Sequence, residues 1–185
     1  MVQPHIVSLS ARVRLFHQWV VTRLWRISIY LADKDRWRDT TICDISPNVS
    51  KTSLSFRRDL LKVLSRIERV DPGVANLIAK HVRYITNAFL LQGPYNYYYV
   101  DRLLLVDIRG LDESLDGAGG DAAREAAIAR CLIEGTAWGQ VYSANFTLLG
   151  DREAAGRQWD QQRGQIDSFE ARMAAEISAN AAPTA

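Results

Sequence analysis

With 185 residues, 48% of them hydrophobic, the chain can bury a core as one domain without disulfides or a structural metal, which argues against a second independent domain. The net charge of +2 is unevenly spread: residues 1–90 hold 15 Lys/Arg against 7 Asp/Glu and residues 91–185 hold 8 against 14, or +8 and −6. Two such halves can attract each other within one fold or steer an acidic partner to one end. The only cysteines, Cys43 and Cys131, lie far apart and in no metal-ligand spacing, so they read as reduced thiols. No basic segment followed by an apolar run opens the sequence, and no window of about 20 residues is free enough of charge to span a bilayer, so the expected location is cytoplasmic.

The first helix is predicted from Ser8 or Ser10 to Leu31. Leu9, Val13, Phe16, Val20, Leu24, Ile27 and Leu31 step by 4, 3, 4, 4, 3 and 4, which lines them along one narrow apolar seam. Trp19, Trp25 and Tyr30 flank it, and Arg12, Arg14, Arg23 and Arg26 stand outside it. Rings in surplus of one stripe point to a second helix or a second chain. Asp33 to Ser50 is polar and broken at Pro47-Asn48, a connector with at most a helical turn around Trp37. A second helix is expected from Ser53 to Val70, with Leu60, Leu61, Leu64 and Ile67 on one side and Arg57 and Arg58 among the residues elsewhere.

Asp71-Pro72 restarts the chain as N-cap and first helical residue. The pattern predicts a third helix over Pro72 to Gln92, ended by Gly93-Pro94. Tyr95 to Arg109 is ambiguous: its tyrosines and valines suit a strand, while three consecutive leucines and the length favour a buried helix, and helix is the reading adopted. Asp112 to Gly120 reads as an acidic, glycine-rich loop. An alanine-rich helix from Asp121 to Leu149 comes next, in which Gly135 allows close approach. Gly150-Asp151 then caps a last helix with a Trp159, Ile166, Met173 seam. Residues 179–185 form an expected disordered tail behind a helical domain at 1–178. Tyr84, Asn87, Leu90 and Leu91 echo Tyr142, Asn145, Leu148 and Leu149, a pattern that a duplicated helical hairpin would produce. The fold expectation is therefore all-α, an irregular bundle of five or six helices in a single domain.

Chemistry is thinly marked. His5, His17 and His81 are too dispersed for a local ligand set. Asp112, Glu113 and Asp116 suggest a magnesium cluster only weakly, being followed by GAGG, and no glycine-rich phosphate loop or nucleophile elbow is present. No cofactor, metal or catalytic residue is assigned, which leans away from an enzyme. Function is read first as a non-enzymatic protein-interaction or assembly subunit, a homo-oligomer or the partner of another protein, joined by helix pairing. The second reading is an adaptor for nucleic acid or an anionic membrane surface, using Arg12, Arg14, Arg23, Arg26, Arg57 and Arg58. The third is a small-ligand receptor or helical enzyme with a site near His81, Tyr84, Tyr95, Tyr97, Tyr98 and Tyr99.

Overall fold

In a computed structural model, residues 9–45, 52–88, 90, 93–115, 120–148 and 150–181 are described. They form α1 (Leu9–Leu31), β1 (Lys34–Trp37), β2 (Thr40–Asp44), α2 (Thr52–Val70), α3 (Pro72–His81) and β3 (Tyr84–Asn87). The second half continues with β4 (Tyr95–Tyr98), β5 (Leu103–Val106), α4 (Ile108–Ser114), α5 (Gly120–Val141), a π-helical turn (Tyr142–Thr147) and α6 (Arg152–Ala181).

The chain is thus not all-α, and a helical bundle does not describe it. The five strands make one mixed sheet in the order β1-β2-β3-β5-β4, in which β2, β3 and β5 run parallel and β1 and β4 are antiparallel edges. The physical reason for the difference lies in the central strands. Leu103 to Val106 are all buried, with Leu104 and Val106 in the larger core and Leu103 and Leu105 in the smaller one. A parallel strand covered on both faces shows a continuous apolar run rather than alternation, and a run of leucines is then indistinguishable from a buried helix. The expected third helix stops at His81, and the chain turns from there into β3. The expected connector over residues 33–50 holds a hairpin, its loop carrying Arg38 at φ 51° with the guanidinium anchored on Glu68 and Asn76. Pro47-Asn48 lies outside the described residues, as do residues 116–119 of the expected acidic loop; Asp112 to Ser114 belong to α4.

Three layers result. One face of the sheet meets α2, α3, α5 and α6 in the large core around Ile42, Phe56, Leu64, Ile78, Ile85 and Leu132. The other face, with Cys43, Ala88, Leu103 and Leu105, is covered by α1 through Ile29 and partly by Trp25. The N-cap expectations at Asp71 and Asp151 agree with the structure, whereas α5 ends at Val141 and passes into the π-helical turn before the expected Leu149. Asp71 accepts the Gly73 and Val74 N–H groups at 2.9 and 3.1 Å, and Asp151 accepts that of Ala154 at 2.8 Å. The helical-hairpin duplication fails: Tyr84 and Asn87 sit on a strand, Tyr142 and Asn145 in a π-helical turn, and Leu91 and Leu149 lie outside the described residues.

Carboxyl ends of parallel strands are where open α/β sheets place ligands. Here Asp107, 3% exposed and just beyond β5, uses both oxygens internally, accepting Leu90 N–H and Gly110 N–H at 2.9 Å each. Asn87, ending β3, accepts Ile108 N–H at 3.3 Å. These groups lock the loops behind the strands. Asp107→Ala strips two part-buried N–H groups of their acceptor and is expected to lower stability by about 1–3 kcal/mol in urea unfolding, with Asp107→Asn costing less.

Candidate interaction surface

The feature that stands apart is α1. Its inward residues are Ala11, Thr22 and Ile29, flanked by the half-buried Leu15, Gln18 and Trp25. Of the polar members of that face, Gln18 reaches the body of the fold, its Oε1 accepting the Tyr99 N–H at 3.1 Å, while Thr22 donates within the helix to the Trp19 carbonyl at 3.1 Å. Arg26 lies 3.6 Å from the Asp101 carboxylate. Arg14 donates to the Thr147 carbonyl and lies over the Phe146 ring.

The seam read from the sequence points the other way. Leu9, Val13, Phe16, Val20, Leu24, Ile27 and Leu31 are each 40–78% exposed, and Trp19 and Tyr30 are exposed beside them. Phe16 stacks on Trp19 at 6.0 Å, and Arg23 covers the outer side of that indole at 5.0 Å. The helix contains no Asp or Glu. The seam presents on the order of 900 Å² to solvent, beyond the ~300–600 Å² of the largest apolar patch on a typical monomer.

The tyrosine and histidine candidates are dispersed. Tyr97 lies in the large core and donates to the His81 carbonyl at 2.6 Å, while Tyr95 packs on the same side against α5 and Tyr98 belongs to the opposite face with Tyr84. Tyr99 packs against the large core from the turn after β4. Burial, with Lys80 and Arg102 acting in the same direction, holds the His81 pKa below the ordinary imidazole value. Burial raises the Tyr95 and Tyr97 phenols above theirs. A cleft of about 550 Å³ between α2 and α5 is lined by other side chains, among them Arg58, Asp59, Lys62, Asp112, Arg124 and Glu125, which pair with one another.

The six arginines do not converge either. Arg57 is buried on α2, 3.4 Å from Asp35 and 3.9 Å from Asp33, and Arg58 lies 3.6 Å from Asp59. Both belong to the layer across the sheet from α1. Only Arg12 and Arg23 stand exposed beside the seam. Among the described residues no cluster of His, Cys, Asp and Glu could hold a metal ion, and no helix is long and apolar enough to cross a membrane. Asp112 and Glu113 instead pair with Arg124 and Arg109.

No family model matches this chain. No curated protein and no solved structure matches it either. The outer face of α1 is therefore weighed on its own chemistry. Apolar surface of this extent is unfavourable in water by roughly 25 cal/mol per Å², a driving force for covering it. Sequence reasoning identifies the seven residues but not their direction, because the partners that hold the opposite face are 81 and 133 positions away, at Tyr99 and Thr147.

Proposed function

We propose that the protein is a non-enzymatic assembly subunit that associates with further copies of itself through the outer face of α1. The observation that carries this reading is the outward orientation of the seam: the most regular apolar stripe of the sequence is left out of the core while a poorer stripe, with Gln18 and Thr22, is turned inward. The area suits the role, since a stable interface buries about 800 Å² on each partner. The composition suits it as well, with the aromatic residues Phe16 and Trp19 and with arginine rather than lysine along α1.

Light scattering behind size-exclusion chromatography at micromolar concentration is expected to give a mass above the 20.9 kDa of one chain. Leu24→Asp, at a position 67% exposed, is expected to return the mass to that of a monomer with an unchanged far-UV spectrum. A strict monomer, or an oligomer indifferent to Leu24→Asp, overturns the reading. Binding of the monomer to anionic vesicles, weakened by Arg12→Ala and Arg23→Ala, would replace it with the membrane-surface reading, which the acid-free composition of α1 would then explain.

A further inference from the structure

The seam has a symmetry that the rest of the helix lacks. Its steps of 4, 3, 4, 4, 3 and 4 read the same in both directions about Val20. Reversing one helix against another therefore sets Leu9 against Leu31, Val13 against Ile27, Phe16 against Leu24 and Val20 against Val20. A two-fold contact requires this relation, in which residue i meets j and j meets i. Every seam residue on either side of the centre satisfies it.

Resting on the self-assembly reading above, we infer that two copies pair as a closed, antiparallel dimer whose two-fold axis passes beside Val20. The helix geometry supports full-length contact. The steps repeat every 11 residues, about 3.67 per turn, so the seam stays nearly straight along a helix of roughly 35 Å. Side-chain size supports the centre: Val20 is the smallest member with Val13 and the least exposed, so two backbones approach most closely there and make room for Leu, Phe and Ile outward.

The helix dipoles select the direction: an antiparallel pair sets the N-terminus of each α1 against the C-terminus of the other, whereas a parallel pair sets like ends together. Sterics allow it too. The buried Ala11, Thr22 and Ile29 each follow a seam residue, Leu9, Val20 and Ile27, by two positions, or about 200° around the helix. Each globular body therefore lies on the far side of its own α1, and the pair of helices meets without collision between the bodies. Because the contact uses the same patch on both copies it closes on itself, and association stops at two.

Cysteine cross-linking of the full chain tests the register. Cys43 and Cys131 are both buried, and burial pushes the Cys131 thiol up to about 12, so the unmodified protein supplies a silent background. Under mild oxidation a mixture of Val13→Cys and Ile27→Cys chains is expected to yield the mixed disulfide at least tenfold over either self-disulfide, and Val20→Cys is expected to link to itself. Val20→Asp sets two carboxylates on the axis and is expected to weaken the dimer roughly 100-fold or more, with an unchanged far-UV spectrum. A dominant Val13→Cys self-disulfide would mean a parallel pair, and masses growing beyond two copies would mean an open contact. Either overturns this arrangement while the loss of association in Leu24→Asp still upholds the self-assembly reading; a strict monomer removes both.

Discussion

Replacing Glu125 with alanine is expected to destabilise the fold by about 3–5 kcal/mol, the cost of leaving a buried charge without its partner. Glu125 lies on α5 and is 6% exposed; Arg66 reaches it from α2 at 2.7 Å and is itself 8% exposed, and Lys62 adds a second cation at 3.1 Å. The close Arg66 contact is an ion pair rather than an aligned hydrogen bond, since its Nε–H does not point along the short vector. Coulomb attraction in a poorly solvated site holds it, and added salt screens it little. Glu125→Ala leaves the Arg66 guanidinium between two helices with only water that can penetrate from the α2–α5 cleft. Urea unfolding of Glu125→Ala measures the loss. The double replacement Arg66→Met with Glu125→Leu is expected to recover most of it, because removing both charges also removes both desolvation penalties.

Gly139→Val is expected to cost about 3 kcal/mol, through overpacking of a close helix-to-strand contact. A Cβ at Gly139 would stand 2.7 Å from two ring atoms of Tyr97. That ring cannot swing aside freely: it is 7% exposed, and its hydroxyl is tied to the His81 carbonyl at 2.6 Å. One turn earlier, a Cβ at Gly135 would lie 2.6 Å from a Leu104 methyl and 3.3 Å from Tyr95. The two glycines form the notch in α5 that lets the β4 edge and the centre of the sheet come close. Gly164→Ala provides the contrast. Nothing lies within 4 Å of a Cβ there, and the site is inside α6, so the substitution is expected to stabilise by about 0.5–1 kcal/mol. Urea midpoints moving in opposite directions for the two glycines would confirm that packing, not helix propensity, governs Gly139.

These particulars show how far the sequence is legible. Helix starts marked by Asp71-Pro72 and Asp151 are plain, because capping is a local matter of one carboxylate and two or three N–H groups. The strands are not. Four residues such as Tyr84 to Asn87 or Leu103 to Val106 are too short to display a period, and burial on both faces erases alternation. The tyrosine run of β4 reads as one patch, although a strand sends Tyr97 and Tyr98 to opposite faces. The α1 seam is fully visible as spacing. Its orientation is not, because an amphipathic pattern says which residues share a face but not which of two faces a distant layer will choose.

The single-helix cover on the second face of the sheet also orders events during folding. α1 leaves the ribosome ahead of the rest of the fold, yet most groups that receive it are made much later: Tyr99 lies 81 positions beyond Gln18, Thr147 lies 133 beyond Arg14, and β5 must already pair with β3 to present Leu103 and Leu105. Contacts at such separation close slowly, after the chain between them has been organised. The earliest of these elements to be synthesised is thus the last layer that can be laid down.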